Sequence, residues 1–191
     1  MQRLQRSDAR RNHDRLLEAA SAAFAENGVD ASLEEIARRA DVGIGTLYRH
    51  FPSRDALLEA VFRHNVDQLT DVASELLAAL PPAEALAAFM QRFVAYVAAK
   101  KGLAMHLKTV VSADSDLFAY SHARMHAAIR TLVDAAAADG AIRDDVEPAD
   151  LLRALSGVCL MADQPGWQDQ ACRISSLLMD GLRYRPAPTH A

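Results

Sequence analysis

Leu33-Glu34-Glu35-Ile36-Ala37-Arg38-Arg39-Ala40-Asp41-Val42-Gly43-Ile44-Gly45-Thr46-Leu47-Tyr48-Arg49-His50-Phe51-Pro52 holds two short helical periods separated by a break. In the first half Leu33, Ile36, Ala37 and Ala40 recur at i, i+3, i+4 and i+7, so one helix buries a stripe and leaves Glu34, Glu35, Arg38 and Arg39 to water. Asp41-Val42-Gly43 interrupts that pattern. The second half buries Leu47 and Phe51, four apart, and turns Thr46, Tyr48, Arg49 and His50 elsewhere. Two short helices joined by a tight turn, with hydroxyls and cations gathered on one of them, make a surface suited to phosphates and base edges.

The flanks extend the helical reading. A first helix is expected from about Arg10 to Asn27, burying Leu16, Leu17, Ala20, Ala23 and Phe24, with Asn27-Gly28 as a left-handed stop. Ser32 followed by Glu35 reads as a capping box for the second helix, in which hydroxyl and carboxylate each satisfy a free backbone N–H. Ser53 caps a long connecting helix, about 54–79, whose apolar residues Leu58, Phe62, Val66, Leu69, Ala73 and Leu76 hold the period toward Pro81-Pro82. Further helices are expected over about Ala83–Lys101, Leu103–Val110, Asp114–Ala138, Pro148–Ala162 and Trp167–Arg183, punctuated by Gly102, Gly140 and Pro165-Gly166. No alternating strand pattern competes with them, so the fold class is all-α: a three-helix helix-turn-helix domain over 1–54, then a larger helical domain over 55–191.

Composition sets the class. Of 191 residues 51% are hydrophobic and 24% charged, ordinary proportions for a globular chain able to bury a core. No run of eighteen apolar residues occurs, and the opening residues lack the apolar stretch of a signal peptide, so a cytoplasmic location is expected. Cys159 and Cys172 lie too far apart for a Cys-x-x-Cys site and are expected to stay reduced. The net charge of −4 is unevenly placed: residues 1–54 carry nine Arg against eight acids, and the remainder twelve cations against seventeen acids. Five Arg fall in the first fifteen residues, which read equally as a basic arm for an extra DNA contact or as a solvated disordered leader.

The stretch from Ser32 to Leu58, centred on Gly45-Thr46-Leu47-Tyr48-Arg49-His50-Phe51-Pro52-Ser53-Arg54, closely resembles the DNA-binding domain of the tetracycline-repressor (TetR) family of bacterial transcriptional regulators. The later helices resemble the SbtR-like branch of that family. The resemblance implies a ligand-responsive homodimer, most often a repressor, that sits on a palindromic double-stranded DNA operator and leaves it when a small molecule enters the C-terminal domain. It implies operator-backbone contacts from Ser32, Thr46, Tyr48 and His50, and places Arg54 where the family usually has a phosphate-gripping Lys. Base reading would fall to Ile44, Gly45, Thr46 and Arg49, flanked by Arg38 and Arg39. Many members carry Ser at the position of Gly43, so a backbone contact is expected to be missing there.

In the C-terminal part Phe89, Phe93, Tyr96, Met105, His106, Phe118, Met125, Met161 and Trp167 are bulky or adaptable residues suited to lining a mostly apolar effector cavity, and equally to plain core packing. The last two helices carry stripes that suit a four-helix dimer interface: Leu151, Ala154, Leu155, Val158 and Ala162 on one, Ile174, Leu177, Leu178 and Gly181 on the other. His122 and His126 have ligand-pair spacing, but without a third ligand nearby they read as a surface pair, so no metal is expected. No nucleophile motif, paired acid and base or phosphate loop appears, so neither catalytic residues nor a cofactor is expected.

Overall fold

The computed structural model describes residues 2–110, 115–159 and 165–183. Eight helices occur among them: α1 (Gln2–Asn27), α2 (Leu33–Arg39), α3 (Ile44–His50), α4 (Arg54–Ala79), α5 (Pro82–Val110), α6 (Asp116–Ala138), α7 (Pro148–Cys159) and α8 (Trp167–Arg183). No strand is present among the described residues, so the fold is all-α as read from the periodicity. None of these helices is long and apolar enough to cross a membrane.

Local chemistry explains most of the boundaries. α1 stops where Gly28 adopts φ +74° and its N–H reaches the Phe24 carbonyl at 3.0 Å. α6 ends in a Schellman motif: Gly140, at φ +72°, donates to the Ala137 carbonyl at 2.9 Å and Ala141 to that of Ala136 at 3.0 Å. Ser53 Oγ accepts from the Ala56 N–H at 3.1 Å and so caps α4. α8 spans the expected residues.

Three expectations need correction. The first helix does not begin at Arg10: α1 runs from Gln2, so the basic leader is helical. With neither Gly nor Pro before Gly28, the stretch is filled with residues that propagate a helix once Leu16 and Leu17 anchor it. The pair of helices expected on either side of Gly102 is one helix, α5, of 29 residues. A single Gly costs a helix about 1 kcal/mol against Ala, and the burial of Leu103 and Leu107 holds the next turn in place. The capping box is half formed. Ser32 Oγ accepts from the Glu35 N–H at 3.3 Å, but the Glu35 carboxylate turns to Arg38 and Arg39 instead.

The chain packs into two compact units, one comprising Met1–Asn65 with Ala99–Ala119, the other Val66–Ala98 with Tyr120–Ala191. In the first, Leu16, Ile36, Leu47, Leu57, Leu58 and Leu107 are fully enclosed. A polar chain crosses this apolar core: Lys100 Nζ donates to Ser21 Oγ at 2.7 Å, and Ser21 Oγ to Asn65 Oδ1 at 2.7 Å, tying α5 and α4 to α1. Burial lowers the Lys100 pKa. In the second unit Leu86, Phe89, Met90, Ile129, Leu132 and Leu155 form the centre. There α4 and α6 are also joined by a Tyr120 hydroxyl donating to Asp67 Oδ1 at 2.5 Å and by Arg124, which reaches Asp67 at 3.1 Å and Asp71 at 2.5 Å. Cys159 is buried, Cys172 half-buried, and both are free thiols.

Candidate nucleic-acid interface

Everything that aims α3 is built from short-range backbone chemistry. α2 ends in a second Schellman motif, in which Asp41 donates to the Arg38 carbonyl at 3.1 Å and Val42 to that of Ala37 at 3.0 Å. The residue forced into the left-handed region is Asp41, at φ 53°, where the family of turn formers usually has Gly. Arg15 of α1 reaches across to this turn, Nη1 donating to Asp41 Oδ2 at 3.3 Å while Nη2 is held by Asn12 Oδ1 at 2.8 Å. Gly43 then sits extended at φ −72°, ψ 149° as N-cap of α3, without a side-chain cap. A Cβ at Gly43 would meet nothing within 4 Å, so the missing hydroxyl is a matter of residue choice and not of space.

α3 is fixed through Leu47, 0% exposed, and Phe51, 4% exposed. The opposite side carries Ile44 at 36% and Tyr48 at 47% exposure, together with exposed Gly45 and Arg49, while Thr46 and His50 are half-buried. Large apolar side chains left uncovered on a seven-residue helix have no packing role within the unit. Arg49 lies along the helix, Nε donating to the Gly45 carbonyl and Nη2 to Thr46 Oγ1, both at 3.3 Å. These bonds are long enough to exchange for others at little cost.

The remaining expected contacts are already engaged. Arg38 forms a two-pronged pair with Glu35, both bonds at 2.8 Å, and Arg39 bonds Glu35 at 2.9 Å and Glu26 at 2.8 Å. Hydrogen bonds from Arg38 and Arg39 hold the Glu35 carboxyl down at about 2. Ser32 Oγ donates to Glu34 while capping α2. Arg54 is half-buried, and its Nη1 donates to the Val29 and Ala31 carbonyls, each at 2.8 Å, so it pins the α1–α2 connector. His50 rests against α1, its ring centroid 5.8 Å from that of His13. Burial first, then His13 and Arg49, lower its pKa.

The first unit thus places the residues expected to contact DNA on α2, α3, their N-caps Ser32 and Gly43, and the start of α4. Sequence reasoning missed Asn12, His13 and Arg15, which brace the turn and α3 from α1. The signal was present for His13, which stands three and four residues before the buried Leu16 and Leu17 and so shares their face.

The other expected sites distribute unevenly. Of the effector set, Phe89, Phe93 and Met125 are buried and Tyr96 and Trp167 half-buried in the second unit. Met105, 54% exposed, and half-buried His106 and Phe118 belong to the first; Phe118 packs on Phe62 with ring centroids 5.9 Å apart. Met161 and Ala162 lie outside the described residues. Of the dimer set, Leu151 and Leu155 are core residues, Ala154, Val158, Ile174 and Leu178 are half-buried, Gly181 is exposed and Leu177 is 68% exposed. Leu151, Ala154, Leu177, Leu178, Gly181 and Leu182 line an open groove of about 430 Å³ between α7 and α8, rimmed by Arg143, Asp145 and Asp150. The His122 and His126 rings on α6 lie tilted to each other with centroids 5.8 Å apart, and no group of three or more metal-ligating side chains occurs among the described residues.

Known proteins match both parts of the chain. Residues 16–61 match the model for bacterial regulatory proteins of the tetR family, and residues 81–184 that for the C-terminal domain of SbtR-like transcriptional regulators. A TetR transcriptional regulator from Streptomyces coelicolor is 46% identical in its crystal structure, with 91% of this chain and 99% of that one covered and a TM-score of 0.80. A TetR regulator from Mycobacterium vanbaalenii is 37% identical, with 94% and 99% covered and a TM-score of 0.76. HTH-type transcriptional regulators of Staphylococcus aureus are 40% identical over 63 residues; the match spans about a third of those curated relatives, 34% of their length.

Proposed function

The chain belongs to the TetR family of bacterial DNA-binding transcriptional regulators, and we propose that it acts as a homodimeric repressor, released from a palindromic operator by a mostly apolar small molecule. The observation that carries this reading is the uncovered side of α3, where Ile44, Tyr48 and Arg49 stand exposed on a helix otherwise locked by Leu47 and Phe51. Ile44 can meet a thymine methyl, Arg49 a guanine edge, and Thr46, Tyr48 and His50 donate to phosphate oxygens. Ser32 reaches the backbone from the start of α2. Arg54 acts by holding the connector ahead of α2, and Arg38 and Arg39, oriented by Glu35, flank α3 with part of their charge already offset.

Dimerisation is assigned to the α7–α8 groove. A Leu at 68% exposure beside an apolar trough is unfavourable in a monomer and favourable against a second copy. A two-fold dimer of this kind is expected to place its two recognition helices in successive major grooves, about 34–36 Å apart. For the effector, buried Phe89, Phe93 and Met125 and half-buried Tyr96, whose phenol burial keeps protonated, are the residues of the second unit whose chemistry suits a mostly apolar molecule.

Binding of a DNA fragment from upstream of the chain's own gene, measured across a salt series, tests the central reading. Sequence-selective retention that weakens as salt rises supports it, and equal retention of unrelated fragments would overturn it. Leu177→Glu, at an exposed position, should leave the monomer folded, shift sedimentation to a single copy and remove tight binding. A dimer of full affinity would refute the interface.

A further inference from the structure

We propose that His13, on α1, is a positioning residue for His50: its ring seats the His50 imidazole beside the exposed side of α3 and links operator binding to uptake of a proton there. The inference rests on the reading of His50 as a phosphate contact.

Three rings form the seat. Phe51, 4% exposed, is fixed in the core. The His13 ring lies tilted on it with centroids 5.2 Å apart, and the His50 ring stands nearly edge-on to His13 at 5.8 Å and 65°. His50 also contacts its neighbour Phe51, at 6.2 Å. The second wall of the half-buried His50 is therefore supplied by a different helix, whose register is set by Leu16 and Leu17. Without His13 the imidazole has a free side and more rotamers to lose on meeting DNA.

The same contact governs charge. From α1 the group in ring contact with His50 is His13, whose Nδ1 lies 3.4 Å from Asp14 Oδ1; from α3 itself it is the neighbouring Arg49. Burial, His13 and Arg49 all oppose a charge on His50 and so favour the neutral imidazole in the free protein. A phosphate oxygen at its exposed edge acts in the opposite direction. Binding then takes up a proton wherever the pH lies between the lower free value and the higher bound value. Within that window affinity falls as pH rises, by at most about tenfold per pH unit for each His50. Removing the like charge of His13 moves the window to higher pH.

The test measures fluorescence anisotropy of the retained upstream duplex with the full chain from about pH 5.5 to 8.5, alongside NMR titration of the His50 ring, for wild type, His13→Ala, His13→Phe and His50→Gln. Loss of the contact in His50→Gln should weaken binding roughly ten- to thirtyfold. His13→Ala should weaken it about three- to tenfold near pH 7, because only positioning is lost. His13→Phe keeps a ring against Phe51 and should restore affinity near pH 7 while its pH profile and the His50 titration move upward. Wild-type affinity and an unmoved profile in both His13 variants, with His50→Gln weakened, would overturn the proposal and leave the reading of α3 intact. Wild-type affinity in His50→Gln would overturn the phosphate contact itself. Should His13→Ala fail to fold, the direction of the shift in His13→Phe decides.

Discussion

Replacing Arg54 by Ala separates two roles that one guanidinium can play at the start of α4. Its Nη1 donates to the carbonyls of Val29 and Ala31 at 2.8 Å each, and Ala31 is buried at 6% exposure. A charge-assisted hydrogen bond contributes about 1.5 kcal/mol net when well formed, and a buried carbonyl left without a donor costs about as much. Two such bonds would give about 3 kcal/mol; partial exposure of the guanidinium and of Val29 lowers this to about 2 kcal/mol. For a chain of this size that corresponds to a fall in Tm of roughly 4–8 °C. Thermal and urea melts of the free protein read this directly, with no DNA present. A contact made only with phosphate would leave the melt unchanged and instead remove about one from the slope of log Kd against log salt per protomer. Arg54→Ala should therefore lower Tm with a smaller change in salt slope. An unaltered melt with a full unit lost from the slope would refute the assignment of Arg54 to the connector.

Other expectations follow from the same unit. Glu35→Gln should release Arg38 fully but Arg39 only partly, since Glu26 still holds it at 2.8 Å; low-salt affinity for any duplex should rise and the salt slope steepen by about one per protomer, read by anisotropy. Because the Glu35 carboxyl is held at about 2 against its ordinary 4.5, its pairing with Arg38 and Arg39 is complete above about pH 4.5 and is lost only as pH falls through about 2, which carboxyl NMR follows. At Asp41, Gly and Ala variants both lose the carboxylate that Arg15 holds but differ in tolerance of φ 53°, so the Gly variant should be more stable than the Ala variant by about 1 kcal/mol in urea melts. Equal stability would mean the turn relaxes out of the left-handed region.

How much of this was legible in the sequence depends on the range of the interaction concerned. Caps and apolar periods act within one or two turns, so α2, α3 and α8 were placed closely, and the burial of Leu47 and Phe51 followed from spacing alone. Gly102 misled because a glycine stops a helix only where a positive φ is wanted, as at Gly28 and Gly140; with Leu103 and Leu107 buried, α5 continues through it. Cations are harder to read for a different reason. Arg38, Arg39, Arg49 and Arg54 look alike as characters in a string, yet one is paired with Glu35, one shared between Glu35 and Glu26, one laid along α3 and one tied to two carbonyls. A guanidinium held by acceptors 2.8 Å away is fixed in place and can offer a phosphate only its remaining N–H groups, whereas Arg49, held at 3.3 Å to its own helix, reorients at little cost. On the proposed reading, discrimination between base sequences therefore falls to α3 through Ile44 and Arg49, while Arg54 holds the connector ahead of α2.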